Sequence, residues 1–419
     1  MSKKLQPVKG TKDLLPVEYN VHNYIINVAL KLGEIYGFRP LVPPIIEYVE
    51  IFDRTLGSSS DIVSKEMYVF TDKGGRNVCL RPEFTASIMR AVITHGLQTY
   101  LPLRYFSFGP VFRYDNPQAG RQRQFHQINF EYIGSDNPFT DVEMIKLASS
   151  ILTKLDLEEK VTLEINSLGC EQSRERYQVA LIEYFSRYRK ELSLDSQHRL
   201  IKNPLRILDS KDPYDQKICS SAPKISDYYT LQSANHFNKL LEYLELLEIK
   251  YAINTRLVRG LDYYCHTTFE YTTKLLGAQS AILAGGRYNG LFKQMGGNQH
   301  LPSFGFAGGI ERLALLLNYT PTFTRPVVII PIGKEENNKH AIILLQELRS
   351  NGIATIIDLY GKPSERLRNA NMVKASRVIF VGEKEVKSQN YTIKDLDNKE
   401  EYSIIKNKLV DHLLSLKSL

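Results

Sequence analysis

The stretch that decides the fold reads LRYFSFGPVFRY (residues 103–114), DNPQAGR (residues 115–121) and QRQFHQINFEY (residues 122–132). The first and third parts are rich in aromatic residues and alternate in character, which predicts two strands. The connection between them is too short for a crossover helix, so the strands must pair antiparallel. We therefore expect an α+β domain built on an antiparallel sheet, with further strands at 251–257, 263–271 and 278–284.

The two faces of the second strand differ in chemistry, because side chains alternate along a strand. One face carries an aromatic ring, two amides and a carboxylate, from Phe125, Gln127, Asn129 and Glu131. These groups could form the floor of a ligand site, although a solvated sheet face is the open alternative. The other face carries His126 among apolar residues, which favours a structural histidine over a catalytic one.

Arginines cluster around the turn between these two strands. Arg113 shares its face with the small residues Ser107 and Gly109, which leave room above the sheet, and Arg121 and Arg123 lie at the turn itself. Guanidinium groups recognise phosphates and carboxylates. The pattern is therefore compatible with an anionic ligand.

Two other segments place charged residues beside helix ends. A strand over 77–81 leads into a helix that we expect to begin at Pro82 and reach His95, with Glu83 at its positive end. Residues 304–313 predict a strand that enters a helix through a glycine pair. Arg312 lies in the first turn of that helix, where a cation opposes the helix dipole, and this hints at phosphate binding.

Composition limits the class of protein. The chain has 419 residues, a net charge of +8 and 43% hydrophobic residues, which favours two or three globular domains and permits an anionic partner. No apolar run approaches the roughly 18 residues of a membrane helix, and the start of the chain does not resemble a secretory signal. Four separated cysteines make disulfides and structural zinc improbable, which predicts a reducing, cytoplasmic location. The P-loop, H-E-x-x-H and G-x-S-x-G motifs are absent.

The chain divides into a long first domain and a shorter second one. Short apolar runs at 327–332, 354–359 and 377–382, separated by helical patterns, predict an α/β domain with a parallel sheet over 326–419. The first domain is expected to cover 1–322. A polar stretch with helical periodicity, at about 170–229, predicts a helical insertion within it.

Five ordered segments together resemble the histidyl-tRNA synthetases, within the class II aminoacyl-tRNA synthetase superfamily. The resemblance begins at Val8–Pro16 and covers nearly the whole chain. The superfamily's three motifs are similar to Tyr36–Glu47, Phe112–Gln127 and Gly308–Leu313, and the two histidine-specific segments to Arg259–Tyr264 and Gly285–Leu291. The resemblance implies a class II catalytic domain with a helical insertion and a carboxyl-terminal anticodon-binding domain.

The resemblance also implies an activity and its partners. Histidine and ATP would give histidyl-adenylate and pyrophosphate, with Mg²⁺ as cofactor, and histidine would then pass to the 3′ end of its tRNA. The first motif would form a homodimer interface. Arg259 and Arg113 would be catalytic, at the α-phosphate and the reacting carboxylate. ATP would be bound by Arg113, Arg121, Phe125 and Arg312, the last two flanking the adenine.

The implied histidine pocket makes chemical sense. A neutral imidazole has one donor and one acceptor, which Glu131 and the hydroxyl of Tyr264 could satisfy. Further residues would hold the ammonium and carboxylate ends or line the pocket: Glu83, Thr85, Arg113, Gln127, Arg259 and Tyr263. The resemblance does not show which residues hold the metal.

The chain departs from the family pattern at two places. Phe84 follows the pocket acid where the family usually has glycine, which is expected to alter local packing. The turn after Arg113 reads Tyr114-Asp115-Asn116, which bears on preference for the tRNA acceptor end. Over 326–419 the formal charge is only +3, so anticodon binding need not be strongly electrostatic.

Three other functions remain to be weighed. The regulatory subunit of ATP phosphoribosyltransferase shares the catalytic fold and senses histidine, but it generally lacks Arg259 and the anticodon-type domain. A tRNA-binding pseudo-synthetase module within a regulatory kinase would require a kinase segment. A nucleotide-binding protein with an accidental match is disfavoured by five ordered motifs.

Overall fold

The computed structural model describes residues 5–56, 62–277 and 281–416. Two expectations touch residues outside these ranges, namely the first four residues of the amino-terminal segment and 278–280 at the start of one expected strand. The chain forms two compact units, Met1–Thr320 and Pro321–Leu419. Within the described residues, no helix has both the length and the apolar character needed to cross a bilayer.

The first unit contains eleven strands in its described residues. They are β1 (Arg39–Pro40), β2 (Ile46–Tyr48), β3 (Tyr68–Thr71), β4 (Asn77–Leu80), β5 (Leu103–Phe112), β6 (Gln124–Ile133), β7 (Thr162–Ser167), β8 (Ala252–Ile253), β9 (Cys265–Thr272), β10 (Ala281–Arg287) and β11 (Ser303–Gly309). Eight of them form one sheet in the order β1-β5-β6-β11-β10-β9-β7-β8, and β2-β4-β3 form a smaller one. The inner strands of the large sheet pair antiparallel, whereas β1 and β8 join its edges in parallel.

The helices of this unit divide between two cores, of which the main one lies against the large sheet. They are α1 (Pro16–Ile35), α2 (Val49–Leu56), α3 (Thr85–Thr94), α4 (Pro138–Lys154), α5 (Glu171–Arg187), α6 (Leu194–Lys202), α7 (Pro213–Cys219), α8 (Leu231–Leu246), α9 (Leu291–Gln294) and α10 (Ile310–Leu316). Short 3-10 turns occur at Leu97–Tyr100, Glu158–Lys160, Pro204–Ile207 and Ile225–Tyr228, and a π turn at Ile62–Glu66.

The expected antiparallel pair is confirmed. Strands β5 and β6 pair over ten positions, from Leu103 opposite Ile133 to Phe112 opposite Gln124. The apolar face of β6 is buried, where Phe130 packs 5.0 Å from Phe306 between ring centroids. Helices α1, α4, α8 and α10 cover this face and form the main core with it. The opposite face of the sheet is therefore not part of this core.

Two expectations about local structure were wrong. The helix after β4 begins at Thr85 and not at Pro82, because the carboxylate of Glu83 accepts the backbone N–H groups of Thr85 and Ala86 and so caps the helix from outside. The run at 251–257 forms only the two-residue strand β8. It ends there because the chain turns back, with the N–H of Leu257 donating to the carbonyl of Asn254.

The expected helical insertion is helical in the structure. Helices α5, α6 and α7 and two 3-10 turns occupy the stretch between β7 and α8. A second core, which joins the insertion to α2 and α3, contains Phe84, Tyr177, Phe185, Tyr263 and Tyr288. The insertion thus packs against the same segments that carry the histidine-specific motifs.

The second unit is an α/β domain, as expected, but its sheet is mixed. Its elements are β12 (Val327–Pro331), α11 (Glu335–Ser350), β13 (Thr355–Ile357), α12 (Pro363–Met372), β14 (Arg377–Val381), α13 (Glu383–Ser388), β15 (Asn390–Asp395), β16 (Glu401–Ile405) and α14 (Lys406–Ser415). The three expected strands are parallel in the order β13-β12-β14. The last two add an antiparallel hairpin that the fully parallel expectation missed.

A buried ion pair joins the large sheet to α4. Arg287 at the end of β10 and Asp141 have fully buried side chains that form a salt bridge. The guanidinium also donates to the carbonyl of Ser135 at 2.6 Å and to that of Asn137 at 3.3 Å. The buried charges are therefore paired and hydrogen-bonded, as burial requires.

We expect Asp141→Ala to lower the free energy of unfolding by about 3–5 kcal/mol, because it leaves the Arg287 charge buried and unpaired. Urea denaturation followed by circular dichroism measures the loss. The matched control is Glu242→Ala, which breaks an exposed pair with Lys239 and should cost less than about 1 kcal/mol. Equal costs for the two variants would contradict this account.

Candidate active site

A cavity of about 270 Å³ lies over the face of the large sheet that is not covered by the main core. Small residues keep it open: Ala307 and Gly305 of β11 lie opposite Asn129 and Glu131 of β6. The site residues expected from the sequence that line this cavity are Glu83, Thr85, Arg113, Arg121, Phe125, Gln127, Arg259, Tyr263, Tyr264 and Arg312. The sheet thus brings together residues from distant parts of the chain.

Glu131 does not itself line this cavity; it is buried directly behind the lining residues Thr85 and Asn129. Its carboxylate accepts hydrogen bonds from the hydroxyls of Thr85, at 2.6 Å, and Tyr288, and from the amide of Asn129, at 3.1 Å. A Cβ atom at position 305 would collide with this carboxylate, so only glycine fits there. Burial raises the pKa of Glu131 to about 7 against the opposing effect of these donors.

Acceptors concentrate beside Glu131 at one end of the cavity. Glu83 is buried, and although burial raises its pKa, its two backbone hydrogen bonds and the charge of Arg113 oppose that shift. Within the described part of the chain, the side-chain oxygens of Gln127 and Asn129 are buried without a hydrogen-bond partner. A ligand that brings N–H donors would satisfy these oxygens.

Two tyrosines form the wall above these acceptors. Tyr263 and Tyr264 are buried, with their ring centroids 4.7 Å apart. Burial raises the pKa of both phenols, so at neutral pH they remain uncharged hydroxyls that can donate or accept.

Arg259 crosses from this wall to the sheet. Its guanidinium forms an ion pair with Glu270 of β9, and its central carbon lies 5.6 Å from the ring centroid of Tyr264. Burial lowers the pKa of the guanidinium, but Glu270, Tyr264 and Tyr263 together raise it by more, so the net shift is upward. Glu270 lies opposite Ala284, which lines the cavity, and thus on the same face of the sheet.

Three further arginines crowd the other end of the cavity. The pKa of Arg113 is lowered by burial, and that of Arg312 is lowered by burial and by repulsion from Arg121 and Arg113. The central carbon of Arg113 lies 5.4 Å from the ring centroid of Phe125. Arg312 donates to the carbonyl of Gly120 at 3.2 Å. Crowded, desolvated cations of this kind favour binding of a multivalent anion.

The two positions at which the sequence departs from the family pattern, Phe84 and the turn after Arg113, both border the cavity. Phe84 is fully buried, and the guanidinium carbon of Arg81 lies 4.2 Å from its ring centroid. Asp115 forms an ion pair with Arg121, and its carbonyl accepts from the side chain of Arg123 at 3.1 Å. The turn after Arg113 is therefore tied to the arginine-rich end of the cavity.

His126 has a structural contact, as expected. Its ring nitrogen Nδ1 lies 2.9 Å from a carboxylate oxygen of Glu311, and its backbone N–H donates to the same carboxylate. This contact joins β6 to α10 and so fixes the position of the neighbouring Arg312.

Two residues of the site were missed by reasoning from the sequence. Glu270 follows five buried positions in β9, and only its charge within this largely buried strand could have marked it. Tyr288 was included in a quoted motif but not assigned a role, and its hydroxyl contacts Glu131 from the far side of Gly305.

We expect Glu131→Gln to stabilise the protein above neutral pH. The raised pKa means that ionised Glu131 opposes folding fully above pH 7, partly between pH 4.5 and 7, and not below. The amide keeps a neutral hydrogen-bonding group in the pocket. The free energy of unfolding should therefore rise by about 1–3 kcal/mol at pH 8, and this gain should shrink toward pH 5.

Urea denaturation at pH 8 and pH 5 measures this difference. Glu175→Gln, on the exposed side of α5, is the control and should show no gain at either pH. A Glu131→Gln protein that is less stable than the original at pH 8 would show that hydrogen bonds to the carboxylate outweigh its desolvation.

Comparison with known proteins agrees with this geometry. A family model described as Histidyl-tRNA synthetase matches residues 10–173 and 196–313, and one described as Anticodon binding domain matches residues 326–416. The chain is 64% identical to a histidine–tRNA ligase of Orientia tsutsugamushi over 99% of both chains. It is 53% identical to one of Rickettsia felis, over 96% of this chain and 97% of the relative.

A solved structure shows the same fold. The structure of apo histidyl-tRNA synthetase from S. aureus is 31% identical in sequence, with a TM-score of 0.82 over 98% of this chain and 100% of that one. The histidyl-tRNA synthetase model covers most of the first unit, and the anticodon-binding model covers the second. This chain belongs to the histidyl-tRNA synthetase family.

Proposed function

We propose that this chain is a histidine–tRNA ligase. It activates L-histidine with ATP to give histidyl-adenylate and pyrophosphate, and then transfers histidine to the 3′ end of its tRNA. The observation that carries this proposal is the division of one cavity into two ends, one rich in buried acceptors and the other in crowded arginines. An amino acid with a basic ring and a nucleoside triphosphate match these two ends.

The acceptor-rich end is assigned to histidine. Glu131 accepts from one imidazole nitrogen and the hydroxyl of Tyr264 pairs with the other, while Tyr263 lines the pocket. The ammonium group is held by Glu83, Thr85 and Gln127, and the buried oxygen of Gln127 gains a donor in this way. Such polar pairing would reject amino acids that lack the matching groups.

The arginine-rich end is assigned to ATP. Arg113 contacts the α-phosphate and the carboxylate of histidine, and Arg121 and Arg312 hold the distal phosphates. Phe125 and Arg312 flank the adenine ring. The mutual repulsion of these arginines, which lowers the pKa of Arg312, would be relieved by phosphate.

Activation requires no nucleophile from the protein. A carboxylate oxygen of histidine attacks the α-phosphorus of ATP, the bond to the bridging oxygen breaks, and pyrophosphate leaves. Arg259 and Arg113 stabilise the charge that develops on the phosphoryl oxygens. A ribose hydroxyl of the terminal adenosine of the tRNA then attacks the carbonyl carbon, and AMP leaves.

We propose that Mg²⁺ would be held mainly by the phosphates of ATP. Carboxylate oxygens suit Mg²⁺, which commonly binds through one or two carboxylates together with substrate phosphates. Glu270 lies on the cavity face of the sheet, but its carboxylate is already paired with Arg259, so we do not assign it to the metal. When bound, Mg²⁺ would neutralise phosphate charge and orient the leaving pyrophosphate.

Two further partners, tRNA and a second copy of the chain, are assigned to surfaces outside the cavity. The second unit, which matches the anticodon-binding domain, is assigned to tRNA. A homodimer is supported by an apolar patch around the small sheet, where Val42, Ile46, Tyr48, Val69 and Phe70 are all more than 40% exposed. A cytoplasmic location remains part of this proposal, and the four cysteines are free thiols.

The regulatory-subunit alternative is not supported. The relatives are histidine–tRNA ligases over nearly the full chain, and the carboxyl-terminal unit matches an anticodon-binding domain.

ATP–pyrophosphate exchange with the purified protein tests the proposal. We expect exchange that depends on L-histidine and on Mg²⁺ in a panel of all twenty amino acids without tRNA. Exchange with another amino acid would retain the fold but overturn the pocket assignment. Histidine binding without any exchange would favour the regulatory-subunit function.

We expect Arg259→Ala to lower exchange by about 10²–10³-fold or more, because the charge that develops at the α-phosphate loses its partner. Histidine binding, measured by calorimetry, should remain detectable. The matched control is Arg256→Ala, which removes an exposed arginine three residues earlier and should leave exchange unchanged. A nearly unchanged rate for Arg259→Ala would remove this residue from the catalytic step.

A further inference from the structure

The loop of residues 258–264 separates two cavities. Arg259, Leu261 and Tyr264 line the cavity assigned to the substrates, and the same three residues also line a second cavity of about 260 Å³. The other walls of the second cavity come largely from the helical insertion. The loop that carries Arg259 is therefore a partition with open space on both sides.

Three side chains of the insertion donate hydrogen bonds to this loop. Arg174 of α5 donates to the carbonyl of Tyr264 at 2.6 Å, and Asn203 donates to the carboxylate of Asp262 at 2.9 Å. Arg206, in the 3-10 turn after α6, donates to the carbonyl of Gly260 at 2.8 Å. These contacts are spaced along the whole loop.

The contact from Arg206 is the one nearest to the proposed chemistry. Gly260 directly follows Arg259, so a hydrogen bond to its carbonyl restrains the backbone next to Arg259. The far end of the same side chain is held in the sheet by its ion pair with Glu270. Arg259 is therefore fixed at two points, one on the insertion and one on the sheet.

We propose that Asn203 and Arg206 are positioning residues for adenylate formation, and that the helical insertion holds the Arg259 loop in its active geometry. This inference rests on the proposed function. Neither side chain lines the substrate cavity, so both act through the loop and not on the substrates. A displacement of about 1 Å at a catalytic group can cost about 10²-fold in rate.

The first test measures ATP–pyrophosphate exchange without tRNA for Arg206→Ala and Asn203→Ala. We expect kcat to fall by about 10–100-fold for Arg206→Ala and less for Asn203→Ala, with the KM values for ATP and histidine nearly unchanged. Arg206→Lys keeps a cationic donor and should recover part of the loss. The control is Arg187→Ala, at an exposed arginine of α5 whose partner is Glu183.

The second test asks whether Arg206 acts through Arg259. In the Arg259→Ala background, the Arg206→Ala change should have almost no further effect on exchange, because the group that it positions is already absent. Full additivity of the two losses would overturn the proposal. So would an Arg206→Ala protein with normal exchange that is impaired only in charging tRNA, since that result would assign Arg206 to RNA binding.

A third measurement does not depend on activity. Hydrogen–deuterium exchange of the full chain should show faster exchange of the amides at 258–264 in Arg206→Ala than in Arg187→Ala, with α4 unchanged in both. Unchanged exchange of the loop would overturn the inference. If the original protein showed no histidine-dependent activity, the proposed function would fail, while this measurement would still decide whether the insertion holds the loop.

Discussion

Side-chain alternation along β5 and β6 is the constraint on which the rest of the structure depends. Each strand must place successive residues on opposite faces, so the residues that build the core and those that line the cavity are interleaved. Phe130 packs against Phe306 in the core, whereas its neighbours Asn129 and Glu131 lie on the side of the sheet that carries the cavity, where Asn129 lines it. A shift of one residue in the register of β6 would exchange these roles, because it would bury Glu131 in the core and expose Phe130. The register therefore specifies both the stability of the unit and the chemistry of the site.

The cavity also concentrates charge that folding alone does not favour. Arg113 and Arg312 have lowered pKa values because they are desolvated, and Arg312 because it also lies near other cations. Carboxylates neutralise only part of this positive charge. Asp115 forms an ion pair with Arg121, and Glu270 forms one with Arg259. A site of this kind is preorganised: the donors are already in place, and an anionic ligand replaces repulsion with attraction. The large sheet and its two cores supply the stability that holds these charges together.

Much of the fold could be predicted from local patterns, because alternation and turn length are local properties. Strands β5 and β6, the glycine-mediated entry into α10 and the parallel strands of the second unit all follow from such signals. The expected helix start at Pro82 shows the limit of local patterns. The helix begins later, because the side chain of Glu83 caps it in place of a first turn. The hairpin of β15 and β16 shows alternating burial, but its short, polar strands do not stand out from the surrounding loops.

The site is harder to predict than the fold, because its contacts join residues that no local pattern connects. Tyr288 reaches Glu131 across Gly305, and Arg206 reaches the backbone beside Arg259 from a segment more than fifty residues earlier. The second contact joins the helical insertion to the loop that carries Arg259. The tyrosines of this loop pack in the second core, and the side chain of Arg259 pairs with Glu270 of the sheet. The insertion adds hydrogen bonds to the backbone carbonyls of Tyr264 and Gly260, and it thereby restrains the backbone of the loop itself.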